Sequence, residues 1–213
     1  MVSFSSQLLR ALALVACGTV LAVTPAVTQE RPAADPARVD ALISGMFQRV
    51  SPEWRARTEL DPTQRTCTER RNQVSAAEAD AVQARERASV VLPPDGNFLG
   101  DWRKGFQVAN NGRGFQFSDP AGTVAGGNCY ACHQMDPREV SYGTLGPSLA
   151  GYGRERNYDP ELIREAYIKI FNAQAVVACS NMPRFGSSKV LTIDQIKDVL
   201  AYLFDRQSPV NRP

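Results

Sequence analysis

The five residues Cys129-Tyr130-Ala131-Cys132-His133 constrain this chain more than anything else in it. Two cysteines two residues apart, followed at once by histidine, can bring two thiols and one imidazole to a single helical turn. That spacing suits thioether bonds from both thiols to the vinyl groups of one haem, with His133 carried beneath the iron as an axial ligand. The vinyls sit on neighbouring pyrroles at a fixed separation, and two intervening residues provide the reach. His133 is the single histidine of the 213 residues, so it uses the whole supply. A zinc site would need further Cys or His ligands at suitable spacing, and Cys67 and Cys179 stand far off along the chain. A thioredoxin-like C-x-x-C belongs beside a βαβ pattern, and no strand-like alternation longer than a few residues occurs. A Cys129–Cys132 disulfide would close a very small, strained loop. The expectation is one covalent haem c on Cys129, Cys132 and His133.

Thioether attachment takes place in an exporting compartment, and the N-terminus agrees. Residues 1–28 read as a signal peptide: Arg10 is the only basic side chain, residues 11–23 are small and apolar, and Ala22 and Ala26 offer cleavage points. The run is shorter than the roughly 20 apolar residues that span a bilayer, so no membrane span is expected. Leu14-Val15-Ala16-Cys17-Gly18 resembles a lipobox, which would leave a lipid anchor at Cys17. The apolar stretch before Cys17 is short, so secretion into the periplasm is the first expectation. Lys and Arg number 24 against 22 Asp and Glu, which leaves no basic face to argue for nucleic acid.

Beyond the leader the chain divides into a helical N-terminal extension, residues 29–95, and a second domain, residues 96–213. Asp35-Pro36 starts a helix by cap and first-turn proline. Val39, Leu42, Ile43, Met46, Phe47 and Val50 mark one apolar stripe, for which packing is the expected role. Residues 53–73 are charged and weakly periodic. Ser75 and Glu78 form a capping box before an Ala-rich helix that Pro93-Pro94-Asp95-Gly96 ends. Trp102 to Ala109 is a short helix. A Gly-rich loop region follows, of a length that calls for something to organise it. Asp159-Pro160 begins a helix with Ile163, Ala166, Tyr167 and Ile170 on its apolar face. Thr192 and Gln195 cap another, with Ile196, Val199, Leu200 and Leu203 as its stripe. The fold class is all-α.

Four methionines compete for the sixth iron position. Met1 leaves with the leader, Met135 lies on the His133 side, and Met46 belongs to the first stripe. Met182, in a loop between two helices, is the expected ligand, with a Cys179 thiolate as rival. Met/His ligation raises the potential and suits electron transfer. It also argues against a peroxidase, which needs an open axial position. In an oxidising compartment Cys67 and Cys179 are expected to pair, tying the extension to the segment just before Met182.

Gly127-Asn128-Cys129-Tyr130-Ala131-Cys132-His133-Gln134 is followed by Ser141-Tyr142-Gly143-Thr144-Leu145-Gly146-Pro147-Ser148-Leu149. Then come Lys169-Ile170-Phe171-Asn172, Cys179-Ser180-Asn181-Met182-Pro183-Arg184-Phe185-Gly186 and Ser208-Pro209-Val210-Asn211. Over roughly residues 98–211 the chain resembles the SoxX family, the monohaem cytochrome c subunits of the SoxAX complex of bacterial sulfur oxidation, in a longer form with an N-terminal extension. The resemblance implies a class I-like cytochrome c domain whose Pro147 carbonyl orients His133. It implies a SoxA-like haem protein as heterodimer partner, a SoxYZ-like carrier as transient partner and a soluble cytochrome c as electron acceptor. The complex joins thiosulfate to a carrier cysteine as an L-cysteine S-thiosulfotransferase. By the same resemblance this subunit accepts the electrons and holds no catalytic residue for sulfur. The alternative function is a free-standing periplasmic electron-transfer cytochrome.

Overall fold

Short polar caps and first-turn prolines set the helices of this chain. In the structure, a computed structural model, residues 35–212 are described except positions 56, 117 and 121 and the side chain of Glu53. They fall within one compact unit. The signal-peptide and Cys17 expectations lie outside the described residues. Helix α1 spans Pro36–Met46, α2 Pro52–Arg55, α3 Pro62–Glu69, α4 Ala76–Ala88, α5 Trp102–Ala109, α6 Tyr152–Glu155, α7 Pro160–Phe171 and α8 Ile193–Phe204. Single 3-10 turns occupy Cys129–Ala131, Ala173–Ala175 and Pro209–Asn211. No strand occurs among the described residues, and the all-α expectation holds.

The Ser75/Glu78 and Thr192/Gln195 capping boxes form in both directions. The Asp159 carboxylate accepts from the backbone N–H of Glu161 at 2.8 Å and of Leu162 at 3.3 Å, which satisfies two of the free donors of the first turn of α7. A third capping box, Asp61 with Gln64, starts α3 inside the segment that its weak periodicity left unassigned.

Helices α7 and α8 bury the faces their periodicity predicts: Tyr167, Ile196 and Leu200 are wholly inaccessible. Helix α5 crosses α8 at Gly105, which is buried. A Cβ there would lie 1.9 Å from the Asp198 carbonyl oxygen, so only glycine lets the two backbones meet. Gly105→Ala should cost at least the ~1–3 kcal/mol of an overpacked core and lower Tm by several degrees in a thermal melt. An unchanged Tm would show that the crossing relaxes freely.

The last residues fasten α6 to α8. Asn211 Oδ1 accepts from the backbone N–H of Gly153 at 2.9 Å and of Arg154 at 3.0 Å. Its amide nitrogen donates to the carbonyls of Leu203 at 3.0 Å and Asp205 at 2.9 Å. One buried side chain thus answers donors at the start of one helix and acceptors at the end of another.

The stripe of α1 requires a correction. The helix forms where Asp35 and Pro36 place it, but it buries no residue. Leu42, Met46 and Phe47 are 57%, 75% and 40% exposed. Periodicity fixes which face is apolar; it does not supply a neighbour to cover it.

Candidate haem site

The Cys129–Ala131 turn is set by its neighbours on both sides. Asn128 takes a left-handed conformation, φ 49° and ψ 37°. Its N–H donates to the Asn111 carbonyl at 3.0 Å, and the Gly127 N–H donates to the Val108 carbonyl at 2.8 Å. These bonds anchor the motif to the end of α5. Both Cys132 N–H, at 3.0 Å, and His133 N–H, at 2.9 Å, donate to the Cys129 carbonyl. The motif is therefore a closed helical turn, as its spacing demands.

The loop of residues 143–149 wraps this turn. Gly143 donates to the Tyr130 carbonyl at 2.9 Å, Gly146 to Cys132 at 2.8 Å and Leu149 to Gln134 at 2.7 Å. A Cβ on Gly146 would lie 2.1 Å from His133 Cε1, so the imidazole stands flat against bare backbone. His133 Nδ1 lies 2.7 Å from the Pro147 carbonyl oxygen. A carbonyl only accepts, so Nδ1 carries the proton and the Nε2 lone pair is left for a metal. Such partners fix the tautomer and ring orientation of ligating histidines.

Cys129, His133 and Met182 all line one open apolar cavity. Its walls include Met135 from below the motif, Ile170 of α7, Phe185 of the Met182 loop and Val199 and Leu203 of α8. An apolar lining with a few convergent donor atoms is that of a cofactor site. Burial pushes the Cys129 thiol up to about 12; a thioether at that sulfur has no proton to lose. Cys132, half-buried, follows on the same turn without lining the cavity, and Pro147 acts only through His133.

Met182 sits between α7 and α8 in a loop docked on the end of α7. Gly186 and Ser187 donate to the Phe171 carbonyl at 2.9 and 3.1 Å, and a Cβ on Gly186 would meet the Phe171 ring at 2.3 Å. Cys179 lies in this loop, but its sulfur is joined to Cys67, with S–S 2.07 Å and Cα–Cα 5.4 Å. A sulfur in a disulfide offers no thiolate to iron. The donor set of two thiols, one oriented imidazole and one thioether around an apolar cavity fits haem c.

Sequence reasoning did not single out Leu149, Phe185 and Leu191 as walls of this cavity, or Gly146 as the bare backbone against His133. Gly146, Leu149 and Phe185 stood inside the quoted segments, yet only the folded loops show what they touch.

Comparison with known proteins agrees with this geometry. Residues 118–206 match the family model Cytochrome c, a stretch that contains every residue lining the cavity. A cytochrome c domain is thus present, preceded by a helical N-terminal region. It marks an electron-transfer haem protein, and the family implies covalently bound haem c. The chain is also similar to an uncharacterized lipoprotein of Aquifex aeolicus (strain VF5), 42% identical over 127 residues. The match covers 59% of this chain and 60% of that relative's length.

When bound, haem c supplies a one-electron iron couple. Cys129 and Cys132 would hold it covalently, and His133 Nε2 and Met182 Sδ would ligate its iron. The apolar walls would exclude water, which keeps the site dry and the reduced state favoured.

Proposed function

We propose that this chain is the SoxX-like electron-accepting subunit of a thiosulfate-conjugating complex outside the cytoplasm. The partner is a SoxA-like haem protein. There, thiosulfate sulfur and the thiol of a SoxYZ-like carrier cysteine form an S–S bond, releasing a proton and two electrons. This subunit takes the electrons singly and passes them to a soluble cytochrome c. The observation that supports the reading is the meeting of His133 and Met182 on one cavity, built from the segments that carry the resemblance. The Lys169 to Asn172 segment meets the Met182 loop at Phe171, and Asn211 of the closing Ser-Pro-Val-Asn segment locks α8.

A lipid-anchored form is the second reading of location. The Aquifex relative bears the name lipoprotein, and Leu14-Val15-Ala16-Cys17-Gly18 offers the matching segment. Among the described residues no helix is long and apolar enough to cross a membrane. Purification from thiosulfate-grown cells, with haem counting and mass spectrometry of the mature N-terminus, tests function and location together. The expected product is a complex with a second haem protein. A monomer with one haem would leave the free-standing electron carrier; an acylated Cys17 would place either one on a membrane.

A further inference from the structure

The Met182 loop is held on both sides by the N-terminal region, which lies outside the stretch matching the cytochrome c family. Three residues before Met182, Cys179 is bonded to Cys67 of α3. Two residues after it, Arg184 reaches two carboxylates. Its Nη2 is 2.5 Å from Asp61 Oδ2, and its Nη1 is 3.4 Å from Glu86 Oε2 of α4. Only 14% of the Arg184 side chain and 9% of the Glu86 side chain meet solvent.

Both carboxylates of this cluster make further contacts. Asp61 is also the N-cap of α3, accepting from the Gln64 N–H at 2.8 Å. Burial raises its carboxyl, but the Gln64 N–H and the Arg184 guanidinium outweigh that and hold it below the usual value. Glu86 accepts from the Asn172 amide at 2.7 Å, just past α7, and from the Thr63 hydroxyl of α3. Arg85 also stands 3.7 Å from Glu86, but the buried Arg184 guanidinium has these two carboxylates against it, and removing one leaves its charge poorly compensated and the loop less firmly held.

We propose that the N-terminal helical region is a positioning device for the sixth iron ligand. The Cys67–Cys179 disulfide and the Arg184–Asp61–Glu86 cluster grip the loop on either side of Met182 and hold its thioether over the cavity. Arg184, Asp61 and Glu86 are positioning residues, and the proposal rests on the reading of Met182 as ligand. Release of Met182 and loosening of α3 become one event. A ligand that displaces Met182 therefore loosens α3, and a loosened α3 eases displacement by the same factor.

The test titrates the oxidised, haem-loaded protein with imidazole and follows loss of the methionine-to-iron charge-transfer band. Glu86→Gln, nearly isosteric, should raise imidazole affinity by about 5- to 150-fold, the ordinary range of coupling. Arg184→Lys should give a smaller rise. Arg87→Gln is the control: it changes the neighbouring residue of α4 and breaks the exposed pair between Arg87 and Glu165 of α7, which does not include the Met182 loop, and should leave affinity unchanged. Equal shifts in Glu86→Gln and Arg87→Gln, or none in either, would overturn the proposal. Should Glu86→Gln not fold, hydrogen exchange on the wild type decides. Saturating imidazole should speed exchange at residues 179–186 and 62–69 together and spare α5. Faster exchange confined to 179–186 would overturn the proposal. A wild type lacking the charge-transfer band refutes the ligand reading and this proposal with it. The band present with unmoved affinities refutes this proposal alone.

Discussion

A Cys129→Ala/Cys132→Ala protein is expected to lose its pigment to acid acetone and to lack a native fold, where the wild type keeps both. The reason is the cavity beside the motif. Without the haem, Met135, Ile170, Phe185, Val199 and Leu203 would line an apolar cavity with nothing to pack against. Emptying a packed apolar site loses the transfer energy of the removed group and leaves a cavity behind, which costs ~2–5 kcal/mol even for one large side chain. Whole domains are stable by only about 5–15 kcal/mol, so the group is part of the core as well as of the chemistry. Solvent extraction and near-ultraviolet circular dichroism check this directly. A double variant that binds haem without covalent bonds and melts like the wild type would show that the thioethers are dispensable for folding.

The second large effect is expected from Cys67→Ser/Cys179→Ser. The disulfide joins residues 112 apart, and closing a loop of that length is worth about 4–5 kcal/mol by chain entropy. In a chain of this size that corresponds to a fall in Tm of roughly 10–20 °C. Calorimetry of haem-loaded protein, with thiol alkylation of the intact wild type as a check, measures it. A fall of only a few degrees would mean that the unfolded chain already keeps α3 near the Met182 loop. The Arg87–Glu165 pair, 2.8 Å apart and exposed at both ends, adds little by comparison.

What could be read ahead of the structure follows the range of each interaction. Caps act within three residues, and Asp35, Ser75, Asp159 and Thr192 all start helices where they stand. The stripes of α7 and α8 were legible because a 3.6-residue period reports directly on a buried face. Helix α3 was not, although Asp61 and Gln64 have capping-box spacing; its sequence is polar and carries no stripe to point at. The stripe of α1 shows the opposite failure, a clear period without a neighbour. The motif turn and its five residues were legible because the chemistry is local. The Pro147 contact came only through resemblance. The Arg184–Glu86 contact spans 98 residues, and no pattern along a chain announces a charge pair at that separation.

The order of the cysteines has a consequence for how the molecule matures. A single disulfide among Cys67, Cys129, Cys132 and Cys179 can form in six ways, and the one seen keeps Cys129 and Cys132 out of any disulfide. A chain delivered N-terminus first presents Cys67 with both motif thiols well before its proper mate arrives. Every early oxidation is thus a miswiring that also blocks attachment. The yield of pigmented protein should depend on thiol reductants and isomerases that keep the middle pair open until the last of the four has emerged.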